Sequence, residues 1–218
     1  SKLSSTDSRV LISGPTGSGK ELVARKIHKN SNRSKNPFIV MNGALLQSDN
    51  YENELFGSEN KDGSVSYGFL EKASNGTLLI DEVSEIPLDT QAKILRVLID
   101  QKFKRTNGTK DINVNIRIIS STSKDLKSEV TMGNFREDLY HRINVVPIEI
   151  PKLSSRPDDI PILINYFQKK ISEINGIPEI KLNVDEELLY SYDWPGNVRE
   201  LRNLVERISI LSQNENKS

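Results

Sequence analysis

The sequence contains no cysteine. Disulfide bonds and thiolate metal sites are therefore excluded, and the composition fits a reducing compartment. No apolar run approaches the roughly 18 residues that a membrane-spanning helix needs. The chain opens with Ser1-Lys2-Leu3, without an initiator methionine or a signal pattern. We therefore expect a cytoplasmic protein and a segment cut from something longer.

An excess of charge of either sign is also missing. Lys and Arg together number 30, and so do Asp and Glu. No overall field therefore draws the chain to nucleic acid or to an anionic membrane. Hydrophobic residues make up 35% and charged residues 28% of the chain, which is typical of a folded globular protein. A length of 218 residues allows one large domain, or one domain with a smaller satellite.

Short apolar segments alternate with segments of helical spacing through most of the chain. The apolar segments are residues 9–13, 38–41, 77–80, 116–119 and 145–148, and the helical ones include residues 21–28 and 90–101. Such alternation predicts an α/β fold in which helices cover a parallel sheet.

The strand pattern stops near Pro151. Three helical segments follow, at residues 158–173, 184–192 and 197–211. We predict an α/β nucleotide-binding subdomain over residues 1–150 and a small all-helical lid over residues 151–211. The polar tail 212–218 is expected to be a linker toward a further module.

A Walker A motif lies between the first predicted strand and the first predicted helix, and consists of Gly14, Pro15, Thr16, Gly17, Ser18, Gly19 and Lys20. Glycines let backbone N–H groups turn toward phosphates, the helix start favours the anion, and Lys20 can neutralise the outer phosphates. The alternative is a glycine-rich turn with an incidental lysine. Glu21 stands where most such loops carry a magnesium-binding serine or threonine. We predict an ATP site.

Two carboxylates end a buried strand at Asp81 and Glu82. This arrangement lets one acid hold Mg²⁺ and its neighbour polarise the attacking water. We assign Asp81 to the metal and Glu82 to the water. The alternative is an acidic strand end that only caps the next segment.

With these motifs in place, the chain resembles the AAA+ module of bacterial enhancer-binding transcription activators, the partners of sigma-54 RNA polymerase. Members of this family also carry a glutamate at the position of Glu21. The resemblance runs through ordered blocks at residues 37–42, 54–57, 76–82, 91–98, 135–140 and 194–201. It implies a P-loop AAA+ sheet followed by a helical lid.

The resemblance also implies roles for single residues. Asn42 resembles the residue that pairs with the catalytic glutamate and releases it when nucleotide is sensed; a strand-end amide is the alternative. Arg136 and Arg142 resemble arginine fingers that reach the γ-phosphate bound by a neighbouring subunit. Local ion pairs with Glu137 and Asp138 could instead hold them.

One further arginine, Arg199, opens the last predicted helix. It resembles the sensor arginine that couples the lid to the nucleotide, and an exposed helix charge is the alternative.

The sequence departs from the family pattern in two places. Active members carry a Gly-Ala-Phe-Thr-Gly-Ala loop that grips the sigma factor, and here residues 58–67 are several residues shorter and lack the Phe-Thr pair. Asp62-Gly63 in this segment predicts a plain turn. The usual sensor asparagine is replaced by Ser123, whose shorter hydroxyl reaches less far toward the γ-phosphate.

Both departures look most like the NtrX branch of nitrogen-regulation response regulators. Relatives of this kind carry a phosphoacceptor receiver before the module and a helix-turn-helix after it. The resemblance implies a sensor kinase partner through the missing receiver, and DNA contact only through the missing C-terminal part.

Three functions are compatible with these observations. The leading hypothesis is an ATP-dependent, self-assembling transcription regulator with slow hydrolysis, a homo-oligomer joined through the nucleotide interface and without a sigma-54 contact or a membrane partner. The first alternative is an active sigma-54 activator ATPase that uses a different loop. The second is a dimer scaffold that does not hydrolyse ATP.

Overall fold

The computed structural model describes residues 6–46, 50–178 and 186–215. These residues form two compact units. The described residues between 6 and 13 and between 20 and 149 belong to the first unit, and those between 14 and 19 and between 150 and 215 belong to the second. The glycine-rich loop at residues 14–19 therefore packs with the C-terminal part of the chain.

A five-stranded parallel sheet forms the centre of the first unit. Its strands stand side by side in the order β2-β5-β8-β1-β9. Their bounds are Val10–Ser13 for β1, Phe38–Asn42 for β2, Thr77–Asp81 for β5, Arg117–Thr122 for β8 and Val146–Glu149 for β9. Each predicted apolar segment overlaps one of these strands, with bounds that differ by one to three residues, so the parallel α/β fold is confirmed.

The described part of the first unit contains six α-helices. They are α1 (Lys20–Lys29), α2 (Tyr51–Phe56), α3 (Phe69–Lys72), α4 (Leu88–Asp100), α5 (Leu126–Thr131) and α6 (Glu137–Ile143). The central strands β5 and β8 are buried along almost their whole length because they have a neighbouring strand on each side. Their apolar side chains join those of α2, α4 and α6 in one hydrophobic core.

Two short antiparallel hairpins complete the first unit. One pairs β3 (Ser58–Glu59) with β4 (Val65–Ser66), and the other pairs β6 (Lys102–Lys104) with β7 (Asp111–Asn113). The turn of the first hairpin has Gly63 at φ +83°, a conformation that favours glycine. The turn predicted from Asp62-Gly63 is confirmed.

The second unit is helical and has its own core. Its helices are α7 (Asp159–Asn175), α8 (Glu186–Ser191) and α9 (Asn197–Glu215). Leu153, Ile164, Trp194 and Leu201 are among the buried residues of this core. The predicted helices at 158–173 and 197–211 are confirmed, and α9 continues beyond the predicted end. Residues 184 and 185 of the helix predicted at 184–192, and residues 216–218 of the predicted linker, lie outside the described residues.

Over the stretches that the structure describes, none of the helices has both the length and the apolar character needed to cross a membrane.

We expect a buried histidine to make the stability of the first unit dependent on pH. His28, only 7% exposed, lies 2.9 Å through Nδ1 from the Thr77 hydroxyl. Burial, with a smaller contribution from nearby arginines, holds the pKa of His28 below its ordinary value, although a backbone contact at Asn36 opposes this. The neutral ring is therefore the form that the folded chain favours.

We expect the free energy of unfolding to fall as the pH drops below about 6.5, because the unfolded chain then binds a proton that folded His28 resists. The full stabilisation is present above that pH. The His28→Gln variant should flatten the dependence between pH 7 and 5 in urea unfolding. His141→Gln is the matched control, since that side chain is 70% exposed. Equal slopes for His28→Gln and the parent chain would contradict the expectation.

Candidate functional site

Two acids stand at the carboxyl end of the central strand β5. Asp81 is the last residue of the strand, and Glu82 follows it with φ 51° and ψ 54°, a left-handed conformation that is uncommon for a non-glycine residue. Ser121 donates a short hydrogen bond from its hydroxyl to Asp81 Oδ1, and Asn42 Nδ2 lies 3.4 Å from Asp81 Oδ2. These two contacts hold the Asp81 carboxylate at the carboxyl end of β5.

The Glu82 carboxylate joins two other parts of the first unit. Its Oε2 accepts hydrogen bonds from the Ser123 backbone N–H at 2.9 Å and the Ser123 hydroxyl at 2.8 Å. Its Oε1 lies 3.4 Å from Lys20 Nζ, and Lys20 is 6% exposed. The Walker lysine and the predicted catalytic acid are therefore in direct ionic contact, and Ser123 restrains the same acid from the end of β8.

The asparagine predicted to pair with the catalytic acid has a different partner in this structure. Asn42 is in register with Asp81 in the parallel pair of β2 and β5. Its Nδ2 donates to Asp81 and its Oδ1 accepts from the Ala44 N–H. Register explains the pairing, because Asp81 is directly opposite whereas Glu82 lies beyond the strand. The switching role implied by the family resemblance stays a prediction.

The glycine-rich loop has its own set of partners in the second unit. Asn197 Nδ2 donates to the Thr16 carbonyl at 3.0 Å, and Arg156 Nη2 donates to the Ser18 carbonyl at 2.9 Å. Gly17 has φ +77°, and a Cβ placed on it would lie 2.2 Å from the Gly196 carbonyl oxygen. Only glycine fits such an approach. The loop carbonyls are therefore held by side chains of the C-terminal part of the chain.

Asn197 and Arg156 are functional candidates that the sequence analysis missed. Asn197 is 3% exposed, has φ 52°, and also accepts the Leu153 N–H at 2.8 Å. Its place at the start of a helix after glycine was a usable signal, because asparagine tolerates a left-handed backbone better than most residues. No sequence pattern marks Arg156, since its partner is far away along the chain.

The arginines predicted as fingers differ in their surroundings. Arg136 makes a two-bond ion pair with Asp138, with Nε to Oδ1 at 3.0 Å and Nη2 to Oδ2 at 2.8 Å. The hydrogen bond from Arg136 holds the pKa of Asp138 below its usual range. Arg142 has a buried Nε without a hydrogen-bond partner among the described residues. The local ion pair considered from the sequence is thus present for Arg136.

The two other predicted nucleotide-site residues lie on helices. Glu21, in the first turn of α1, is 2.7 Å from Arg25 Nη2, and both side chains are about half exposed. Arg199, in the first turn of α9, is exposed and donates its backbone N–H to the Gly17 carbonyl at 3.2 Å. Arg199 is thus attached to the loop through its backbone.

The chemistry of Asp81 fits the predicted Mg²⁺. Mg²⁺ is usually held by one or two carboxylates together with substrate phosphate oxygens and water. Asp81 offers two hard oxygen atoms that Ser121 and Asn42 already orient, and each oxygen can accept a further bond. This residue could therefore bind the ion together with a nucleotide.

The fold and the site define the class of protein. A parallel sheet in the order β2-β5-β8-β1-β9, a Walker A loop between β1 and α1, acids at the end of β5 and a C-terminal helical unit make this a P-loop NTPase of the AAA+ type. The chain belongs to the Sigma-54 interaction domain family, whose profile matches residues 1–149, and residues 154–217 match the AAA+ ATPase lid domain. The predicted family resemblance is confirmed.

Several characterised proteins are similar to this chain. The nitrogen assimilation regulatory protein NtrX of Azorhizobium caulinodans is 49% identical over 209 residues, which are 95% of this chain and 46% of that protein. The regulatory protein AtoC of Escherichia coli is 44% identical over 216 residues, 97% of this chain and 47% of that protein. The chain thus spans about half the length of these relatives.

Solved structures agree with this relationship. A crystal structure of NtrX from Brucella abortus has a TM-score of 0.91 and 48% identity, and the match covers 97% of this chain and 49% of that one. The same protein in complex with ATP gives a TM-score of 0.92 at 48% identity, covering 97% of this chain and 47% of that one.

Proposed function

We propose that this chain is the ATP-binding AAA+ central domain of a two-component response regulator that controls transcription. ATP would promote self-assembly, hydrolysis would be slow, and sigma-54 would not be contacted. The observation that carries the proposal is the Glu82 carboxylate, which lies 3.4 Å from Lys20 Nζ and accepts two hydrogen bonds from Ser123. It places the Walker lysine beside the candidate general base. The ATP complex of the similar Brucella abortus protein supports the choice of nucleotide.

Each residue has a defined task in this proposal. The loop Gly14–Gly19 would present backbone N–H groups to the phosphates, and Lys20 would neutralise the outer ones. Asp81 would hold Mg²⁺, which when bound neutralises charge on the β- and γ-phosphate oxygens. Glu82 would orient a water molecule and accept its proton.

Slow hydrolysis follows from the partners of Glu82. A carboxylate must present a free lone pair to the water whose proton it takes. Ser123 occupies one oxygen of Glu82 with two hydrogen bonds, and Lys20 lies beside the other. Only the remaining lone pair of Oε1 is then open to water, so we expect a small population of sites in which Glu82 holds the attacking water.

Assembly follows from the arginines. Arg136 is exposed, and within the described part of the chain it is not one of the residues that contact Glu82. A guanidinium on an exposed segment is suited to reach a γ-phosphate on a neighbouring subunit, where it would stabilise the transition state. Arg142 would act with it, and Arg199 would couple the lid to the bound nucleotide. The proposed assembly is a homo-oligomer joined at the nucleotide site.

The β3–β4 hairpin supports the absence of a sigma-54 contact. Its turn is closed by a hydrogen bond from Asn60 N to Ser64 O at 2.9 Å. Arg105 contacts Glu71 of α3 at 2.7 Å and Glu59 of β3 at 3.0 Å, and these bonds raise the pKa of Arg105 above its usual range. A short hairpin anchored in this way is poorly suited to act as a long arm that grips another protein.

The regulatory context rests on the relatives. The Azorhizobium caulinodans protein is named as a nitrogen assimilation regulatory protein. The Rickettsia felis protein, which is 46% identical to this chain, is named as an NtrX-like response regulator. By analogy with full-length members of the family, a receiver would connect the domain to a sensor kinase, and a helix-turn-helix would contact DNA. Both would lie in parts of the protein beyond this chain.

The proposal is tested by measuring ATP turnover and molecular mass over a range of chain concentrations. We expect mass to rise when ATP is added, and turnover per subunit to rise with concentration, because each site needs a neighbour's arginines. Turnover per subunit that stays constant on dilution would contradict the shared site. Stable capture of sigma-54 with a transition-state analogue would favour an activator, and unchanged mass without turnover would favour a scaffold.

A further inference from the structure

Gln91 is a fully buried amide that joins two segments of the first unit. It lies in the first turn of α4 and is 0% exposed. Its Nε2 donates to the Ile86 carbonyl at 2.7 Å and to the Asn134 carbonyl at 3.1 Å. Its Oε1 accepts the Arg136 backbone N–H at 2.9 Å. Both donor hydrogens and the acceptor oxygen therefore have partners.

The first of these segments follows the catalytic acid directly. Glu82 begins a turn in which Glu85 N donates to Glu82 O at 3.0 Å and Ile86 N donates to Val83 O at 3.3 Å. Ile86 is the last residue of this turn and is 2% exposed. The carbonyl that Gln91 contacts is thus fixed relative to Glu82 by a short hydrogen-bonded stretch.

The second segment carries the exposed arginine. Asn134 N and Phe135 N both donate to the Glu129 carbonyl, at 2.9 Å and 3.2 Å, and Phe135 is 2% exposed. Arg136 is the N-cap residue of α6, and its guanidinium faces solvent beside Asp138. Gln91 contacts this segment on both sides of Phe135, so it controls where the Arg136 backbone lies.

A buried amide with three good bonds is costly to disturb. A buried donor or acceptor that is left without a partner destabilises the fold, so any other arrangement of the two segments around Gln91 is unfavourable. Fixed geometry matters most for groups that stabilise a transition state, because a displacement of about 1 Å can cost roughly 100-fold in rate.

We propose that Gln91 is a positioning residue that sets the location of the Arg136 finger relative to the Glu82 turn. This inference rests on the proposed function, in which Arg136 serves the site of a neighbouring subunit. Gln91 is 0% exposed and bonds to the Arg136 backbone, so it would act through the position of Arg136. Its main influence on hydrolysis would then be exerted in the neighbouring site.

The test is a subunit-mixing assay of ATP turnover. At an ATP concentration that saturates the parent chain but not Lys20→Ala, Lys20→Ala subunits have a largely empty site but can donate a finger, and Arg136→Ala subunits bind ATP but lack a finger. Mixed in equal amounts, they should recover about a quarter of the parent turnover, because about one interface in four pairs a complete site with a complete finger. Gln91→Met, which keeps the side-chain length but removes the three bonds, is then added to one partner at a time.

The recovered turnover should depend on which of the two subunits carries Gln91→Met. Gln91→Met in the Lys20→Ala subunit should lower the recovered turnover by about 10- to 100-fold. The same change in the Arg136→Ala subunit is the matched control, and there the loss should stay within about threefold. Equal losses in both mixtures would overturn the proposal. If the two original variants recover no turnover, the shared site itself is wrong and the proposed function fails with it.

Thermal unfolding and ATP affinity of Gln91→Met alone report whether it folds. If Gln91→Met does not fold, Gln91→Glu replaces it in the mixing assay, because a protonated carboxyl group offers one donor and one acceptor. A buried carboxyl is protonated more readily than an exposed one. The ratio to follow is the turnover recovered with Gln91→Glu in the Lys20→Ala subunit, divided by the turnover recovered when that subunit keeps Gln91. This ratio should therefore rise several-fold from pH 8 to pH 6. A ratio that does not change with pH would count against the proposal.

Discussion

Replacing Glu82 with glutamine is expected to lower ATP turnover by about 10²- to 10⁴-fold, the range that general-base catalysis contributes. The amide has nearly the same shape, and its oxygen can still accept the two hydrogen bonds from Ser123. It cannot take a proton from water. Turnover would be measured at saturating ATP, and affinity by calorimetry, where we expect a change of less than about threefold.

The control for this variant is Glu85→Gln, the same chemical change one turn further along. Glu85 lies 2.8 Å from Lys124 Nζ on the surface, and its side chain is 36% exposed. Loss of such a pair costs about 1 kcal/mol or less and should leave turnover within about twofold of the parent chain. Similar turnover for Glu82→Gln and Glu85→Gln would show that Glu82 is not the base.

The Lys20→Ala variant is expected to weaken ATP binding by about 10- to 100-fold or more. A hydrogen bond to a charged group contributes about 1.5–3 kcal/mol, and each 1.4 kcal/mol is tenfold in affinity. Lys20 is 6% exposed, so its charge acts in a partly desolvated place. Calorimetric titration with ATP measures the effect directly.

A second lysine on the same helix provides the matched control. Lys29, in the last turn of α1, is exposed. Lys29→Ala removes the same charge and leaves the Walker motif intact, so we expect affinity within about twofold of the parent chain. Undiminished affinity in Lys20→Ala would mean that the nucleotide site is elsewhere. Circular dichroism of both variants shows whether Lys20→Ala keeps its fold after Glu82 loses its ionic partner.

The amino-acid sequence by itself determined the α/β class, the position along the chain of each strand of the main sheet, and the position of the Walker loop. These features are local. Apolar runs, helical spacing and a contiguous motif can be read from short windows of sequence. The two acids at the end of β5 were found for the same reason, because a buried strand that ends in carboxylates is a pattern of only a few residues.

The partners of those residues were decided only by the tertiary structure. Glu82 and Ser123 are 41 positions apart, Asn197 and Thr16 are 181 apart, and Gln91 and Arg136 are 45 apart. The family resemblance led us to expect Asn42 beside the catalytic acid, whereas strand register places it opposite Asp81. Such contacts depend on which strands become neighbours and on which loops their ends meet, and no local pattern encodes that. The sequence therefore identified the groups that we propose to bind and hydrolyse ATP, and the fold determined which of them restrain one another.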